Sequence, residues 1–427
     1  MRTRRFTLVL ALTQTRAVAL ILAMGWGSAS TLAQQAAVVI QGASVETGAK
    51  AGRIDNAVIV IENGRIAKLG SAAEVRIPAA ARLVNLRGKT ILPGLIDPVY
   101  VVNVGGTEGS SGGSRTIVIQ GRAITLPGDS GGSTPVFTRV VENASLDPRA
   151  FRVPNRSGLT LLNLVPSSGY GQSALVRPTP KHGDTLLQTG DGFLYIQLSN
   201  RTESLSVLRD NLAATKRATV DSSSGSASAN AGPSPTPSVE RELWKAVVEG
   251  KAPLLVRAAN AATVLHVLAI LNEFPNVRLG LAVSGSDLDL LLRADALTDR
   301  KDKITLILAP TLDNEDGSRV RIHAARLARE AGLPVALSLS HLGRTSELTA
   351  NQATPLFALG RLIAAGMSRE EALRAATQTP AALLGLEATH GTLEEGRVAS
   401  FLVFEGDPLE PTSTLRDVWI EGNPTYD

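Results

Sequence analysis

The stretch Pro93-Gly94-Leu95-Ile96-Asp97-Pro98-Val99-Tyr100-Val101 divides the chain into two kinds of sequence. Before it, from Ala37 to Thr90, the signals are those of strands: Ala37–Val45, then Ala57–Glu62, the pair Asn63-Gly64, and Arg65–Leu69. An Asn-Gly pair between alternating apolar runs specifies a tight hairpin, since both turn positions need positive φ. After it, short apolar runs alternate with helical spacing. Leu159–Val165, Leu254–Val256, Val277–Val283, Ile304–Leu308 and Val335–Leu339 read as buried strands. Ala261–Glu273, Arg319–Ala331, Pro355–Ala365 and Arg369–Thr377 read as helices. Strand–helix alternation implies a parallel sheet, and a chain of 427 residues suits a closed α/β barrel plus a smaller module. The tail returns to strands, Ala399–Phe404 and Val418–Glu421, separated by Gly406-Asp407-Pro408. Neither end has enough strands to stand alone. The expected fold class is therefore α/β: a (β/α)8 TIM-type barrel over residues 93–385, with a small discontinuous β-sandwich built from residues 37–92 and 386–425.

Composition and the first residues bound the function. Apolar residues make up 44% and charged residues 19%, the balance of a globular body. Residues 1–33 carry Arg2, Arg4, Arg5 and Arg16, no carboxylate, the apolar run Ala17–Met24, and small residues with Thr31 and Ala33 at cleavage spacing. That pattern reads as a cleaved signal peptide, too short in its apolar part to span a membrane, over an uncleaved amphipathic anchor, and the expectation is a periplasmic or secreted protein. Without those four arginines the formal net charge of +4 falls to zero, so no excess charge argues for nucleic acid. The chain has no cysteine, which excludes disulfides and thiolate metal sites. Asp221–Ser238 is a Ser/Ala/Pro tract expected to be a flexible loop, as are the Gly/Ser-rich stretches Gly105–Gly113 and Gly128–Ser133.

Several motifs together resemble the metal-dependent amidohydrolase superfamily. Pro93–Val101 follows Asn63-Gly64-Arg65-Ile66 and Leu86-Arg87-Gly88-Lys89, as ahead of that family's first barrel strand. The tail adds Ala375-Ala376-Thr377, Pro380-Ala381, Leu384-Gly385-Leu386, Gly391-Thr392-Leu393, Gly396-Arg397 and Gly406-Asp407-Pro408-Leu409. Gly169-Tyr170-Gly171-Gln172-Ser173-Ala174 is similar to the imidazolonepropionase- and prolidase-like members. The resemblance covers nearly all of residues 37–425. It implies hydrolysis of non-peptide carbon–nitrogen bonds by metal-bound water. The family's metal ligands are two histidines in the first strand, histidines after strands five and six, and an aspartate after strand eight. Here those places hold Val99, Val101, Arg257 and, nearby, Ser284 and Ser340. Valine has no lone pair, and a guanidinium cannot be deprotonated to make one. A catalytic zinc needs about three protein ligands and an open position, so no metal and no other cofactor is expected.

Other residues are weighed against plainer roles. His182, His266, His323, His341 and His390 form no H-x-H or H-E-x-x-H pair. His266 and His323 sit within helical spacing, where solvated or capping roles fit; only His341 falls where a barrel site would lie. Gly128-Asp129-Ser130-Gly131-Gly132 spells G-x-S-x-G, but no histidine precedes Ser130 and no helix follows it, so it reads as a loop. Gly169–Ala174 also spells a dinucleotide fingerprint, yet Pro178 and Pro180 forbid the required helix. A tight turn at the barrel mouth is the better reading. Arg257 either binds a ligand carboxylate or pairs with a barrel carboxylate such as Asp97. The pocket candidates are Asp97, Val99, Val101, Gln172, Arg257, Ser284, Ser340 and His341, with no residue assigned a catalytic role. Two functions remain: a non-catalytic binding or scaffold protein for a small carboxylate, or a hydrolase with altered, metal-independent chemistry or a rebuilt metal site.

Overall fold

The structure is a computed structural model. It describes residues 37–102, 115–119, 122–126, 136–144, 146–179, 187–189, 192–199, 202–223, 238–314, 321–339, 355–410 and 412–425. The fold is mixed α/β. No described helix is long and apolar enough to cross a membrane.

Both chain ends meet in one eight-stranded sheet. Its order is Asn423–Pro424, Thr414–Ile420, Phe401–Glu405, Lys89–Pro93, Val38–Glu46, Arg53–Glu62 and Arg65–Ser71, with Arg82–Asn85 paired beside Val38–Glu46. Asn63 and Gly64 carry φ of 50° and 75°, the primed geometry that matches strand twist. The two ends join where Phe401–Glu405 runs antiparallel to Lys89–Pro93, pairing Phe401 with Pro93 and Val403 with Ile91. The strands form one continuous ladder, and its far ends meet: the Ala399 N–H donates to the Gly64 carbonyl and the Ile66 N–H to the Arg397 carbonyl, so the Asn63-Gly64 hairpin stands against the tail. One face buries Ile40, Ile59, Ile66, Ile91, Phe401 and Trp419 as a cluster, in which Phe401 and Trp419 stack with centroids 5.2 Å apart.

Seven parallel strands follow among the described residues. Leu95–Val102 pairs with Leu159–Pro166. Leu194–Leu198, Pro253–Ala258, Arg278–Ala282, Ile304–Leu308 and Val335–Leu337 pair in sequence order. Each contributes one side chain to a shared apolar cluster: Val99, Val165, Tyr195, Leu255, Ala282, Ile307 and Ala336. Between the two groups runs Tyr170–Val176. Its first half pairs antiparallel with Leu194–Leu198 and its second half antiparallel with Leu159–Pro166. The expectation of a tight turn here is thus corrected: the segment is a bent strand that belongs to two sheets. At the other side, the Ser338 hydroxyl donates to the Val99 carbonyl at 3.2 Å, tying the last strand to the first.

The helices follow their caps. Ala261–Leu271, Pro355–Ala364 and Arg369–Ala376 lie where the spacing predicts, the last under a Ser368–Glu371 capping box. The helix expected over 319–331 is shorter, Ala324–Glu330. His323 caps it, and the residues before it, Arg321–Ile322, pair with Asp313–Asn314 as strands.

Candidate functional site

Strand register places one row of residues at a common height: Gln197, Arg257, Ala282, Ile307 and Ala336 are successive cross-strand partners. The row lies toward the C-terminal ends of the parallel strands, where α/β sheets put their sites. Arg257 is half-buried there. Its guanidinium hydrogen-bonds the Tyr195 hydroxyl, its diagonal neighbour on the same face, since Tyr195 pairs with Leu255 two residues earlier. Burial raises the Tyr195 hydroxyl above its ordinary pKa; Arg257 pulls the other way without overturning the shift. Tyr195 therefore stays neutral and holds a permanent cation beside the apolar cluster.

Asp97, Val99 and Val101 lie on the first of these strands. Pro98 has no N–H, and the ladder slips by one residue there: Asp97 pairs with Leu162, but Tyr100 pairs with Leu164. Two polar side chains repair the bulge. Asp97 Oδ1 accepts from the Val99 N–H at 3.0 Å, and Asn163 Nδ2 donates to the Pro98 carbonyl at 2.9 Å. Asp97 is fully buried, and its charge joins burial, the larger cause, in raising the Tyr100 pKa. Val99 is buried in the apolar layer, and Val101 is half-buried against it.

The remaining candidates separate from this group. Gln172 pairs with Leu194, and Gly171 with Tyr195. Strand side chains alternate faces, so Gln172 points away from the side of Tyr195 and Arg257. There it accepts from Arg139 Nε at 2.8 Å. Ser284 is exposed and caps the helix Gly285–Arg293, accepting from the Asp287 N–H. Ser340 and His341 lie outside the described residues, as do His182, Ser130 and the stretches Gly105–Gly113 and Gly128–Ser133. Of Asp221–Ser238, Asp221–Ser223 closes the helix Thr202–Ser223, Ser238 caps the helix Val239–Val248, and the rest lies outside.

Metal donors are judged by chemistry. Val99 and Val101 have no lone pair and Arg257 donates only, so these three side chains offer a metal no donor, while Asp97 Oδ1 accepts from the Val99 N–H. Among the described residues no three His, Cys, Asp or Glu side chains are grouped to hold one. His266 is exposed on its helix. His323 Nδ1 accepts from the Arg326 N–H at 3.2 Å, and its Nε2 lies 3.2 Å from the Leu362 carbonyl. His390 contacts the Thr389 hydroxyl at 2.8 Å. Tyr195 and Ser338 complete the site and were not singled out from the sequence. The alternation Leu194-Tyr195-Ile196-Gln197-Leu198 was the available signal for Tyr195.

The sequence model of the Amidohydrolase family matches residues 349–426. The fold is similar to that of an amidohydrolase from Thermotoga maritima MSB8, with a TM-score of 0.69 at 17% identity over 91% of this chain and 99% of that one. It is also similar to a beta-aspartyl dipeptidase from Fervidobacterium islandicum AW-1, solved with a beta-Asp-Leu dipeptide, with a TM-score of 0.52 at 16% identity over 91% and 95% of the two chains. No curated protein matches the sequence. The tail thus carries an amidohydrolase signature, and the whole chain an amidohydrolase-like α/β fold.

Proposed function

We propose that this protein is an exported member of the amidohydrolase superfamily that has given up metal hydrolysis and serves as a non-catalytic binding or scaffold protein for a small carboxylate. In this reading the seven parallel strands and the bent strand Tyr170–Val176 close into a TIM-type barrel over residues 93–385, and residues 37–92 and 386–425 form the accompanying β module. The observation that carries it is Arg257 held by neutral Tyr195 in one row with Ala282, Ile307 and Ala336. A metallohydrolase would need about three lone-pair donors at that height, and this row supplies the amide of Gln197, a guanidinium and hydrocarbon. A guanidinium pairs bidentately with a carboxylate, and burying the ligand's apolar body adds about 25 cal/mol per Å² removed from water. The dipeptide bound by the Fervidobacterium relative carries carboxylates, which is consistent with this ligand class.

The test is thermal denaturation of wild type and Arg257→Ala with phenylacetate titrated in, beside elemental analysis of untagged protein. Phenylacetate should raise the wild-type midpoint and leave the variant unmoved, with far less than one metal per chain. If removing Arg257 alone lowers stability by about 3–5 kcal/mol, it pairs a buried carboxylate instead and the ligand reading fails. Near-unit metal occupancy would restore the metallohydrolase. Export rests on the Arg-rich, carboxylate-free start and Thr31-x-Ala33. N-terminal sequencing of native protein should begin near Gln34; recovery of Met1 from a soluble cytoplasmic fraction would overturn it.

A further inference from the structure

The helix Ala261–Leu271 carries no charged side chain. Every other described helix of eight or more residues carries at least one. Val264, Val267, Leu268 and Leu271 are buried in the main core. Ala262, Leu265, His266 and Ala269 recur at helical spacing on the opposite face, all exposed. Leu265 leaves 47% of its surface open. A surface helix normally turns charged residues to water, and one that is apolar all round is covered on both faces.

The neighbouring helix Gly285–Arg293 widens this face. Asp287 Oδ1 accepts the Ala261 N–H at 2.8 Å, which sets the two helix N-termini side by side. Leu290 therefore stands level with Leu265, each about one turn further on, and it exposes 58% of its surface. The rim carries charges of both signs. Asp289 and Arg293 pair there at 2.8 Å, and the helix Thr202–Ser223, packed on the other flank, exposes Arg209, Asp210 and Arg217. An apolar centre inside a polar rim is the anatomy of a protein interface. Helices of 22, 11 and 9 residues, rising about 1.5 Å per residue and spaced about 10 Å apart, together present roughly 600 Å². Specific interfaces bury about 600–1,000 Å² on each partner, so the face is large enough to make one.

The occupant this face suits is a second copy of the chain. Beyond residue 33, without Arg2, Arg4, Arg5 and Arg16, the formal net charge of +4 falls to zero. Two copies therefore do not repel, and no cationic excess draws the face to an anionic membrane. A charged partner would bury its charges against hydrocarbon. The stripe also fits itself: read in reverse, Ala262, Leu265, His266 and Ala269 keep the same spacing. We propose that this face joins two copies in a homodimer. The helix Ala261–Leu271 lies antiparallel on its copy across a two-fold axis, Leu265 against His266 of the second copy, with Leu290 beside them.

The test is sedimentation velocity of the purified protein beside Leu265→Glu, Leu290→Glu and Leu83→Glu variants. All three leucines are exposed, Leu83 on the β module, and circular dichroism checks that each variant is folded. Wild type should sediment as a dimer at about 10 μM, above the micromolar limit for interfaces of this size. Leu265→Glu should weaken the dimer more than about tenfold, since each copy would bury an unpaired carboxylate. Leu290→Glu should weaken it less, and Leu83→Glu should leave it unchanged. The chain has no cysteine, so His266→Cys reports the axis directly. A short bismaleimide should link that variant to its copy and leave Leu83→Cys unlinked. The face shares no residue with the Arg257 row, and Arg257→Ala should remain dimeric. The interface is overturned if wild type sediments as a monomer, if Leu265→Glu leaves a dimer intact, or if Leu83→Cys cross-links as readily as His266→Cys.

Discussion

Tyr170 and Tyr195 stand on neighbouring strands and turn to opposite faces, and the partner each hydroxyl meets decides its role. Tyr195 faces the apolar layer and braces Arg257. Tyr170 pairs with Ile196, one residue on, and so faces the helices. Its hydroxyl donates to the Glu240 carboxylate, accepts from Trp244 Nε1 at 3.0 Å, and its ring meets Phe137 edge-on at 5.5 Å. Burial, then the Glu240 hydrogen bond, raises its pKa against the opposing Trp244 bond, so it remains a neutral donor. Tyr170→Phe would leave the indole N–H of Trp244, a side chain 1% exposed, with no acceptor. The expected loss is about 1–3 kcal/mol by urea denaturation, largely recovered when Trp244→Phe is added, because removing both partners leaves nothing unsatisfied. Equal and additive losses would show that ring packing, not the hydrogen bond, holds the helix Val239–Val248. Among single residues, Arg257 is singled out by the resemblance, because it stands where that family has a histidine after strand five, and the structure places it half-buried in the row. Gln172 misled because a motif gives spacing but not the face a strand presents.

At the scale of elements, the hairpin at Asn63-Gly64 and the five apolar strand runs could be read because period and turn chemistry agree there. The bent strand could not. Its glycines suggest a turn, and Gly169 does take a positive φ of 83°, but Gly171 serves closeness rather than bending. A Cβ on Gly171 would lie 1.8 Å from the carbonyl oxygen of Thr138, the strand residue paired beside it. Gly171→Ala should therefore cost about 3 kcal/mol, the upper part of the overpacking range, in chemical denaturation. Thr138→Ala should not rescue it, since the clash is with backbone. A cost below about 1 kcal/mol, or rescue by Thr138→Ala, would mean the Thr138–Arg139 strand is free to move away. The helix Gly285–Arg293 was missed although Ser284-x-x-Asp287 announces it. Ser284 is a site candidate by the resemblance, but its cap signal is the one that the structure realises.

The whole molecule is held by contacts between segments more than three hundred residues apart. Arg369, at the start of its helix, forks onto Glu46 of the first strand and binds Asp407 of the tail bidentately, at 2.7–3.2 Å. These pairs tie the helix Arg369–Ala376 to both parts of the β module, whose joining the sequence indicated only through strand character at both ends. Burial raises the Asp407 carboxyl, but the Leu409 N–H and Arg369 outweigh it, so its pKa falls below the ordinary 3.8. Stability from that carboxylate is present above 3.8 and is lost only as pH drops through its lowered value. His390 acts earlier. Burial first, then Arg65, Arg397 and Arg177, depress its pKa from 6.5 to about 4. The unfolded chain therefore binds a proton that the folded one refuses, and stability present above 6.5 is lost progressively as pH falls to about 4. At about pH 5 that linkage amounts to about 2 kcal/mol. Urea denaturation at about pH 7.5 and pH 5 should show this loss in wild type, while His390→Gln, which cannot titrate, should lose about 2 kcal/mol less between the two. An equal loss in both proteins would place the acid sensitivity in other groups and leave His390 an ordinary half-buried side chain.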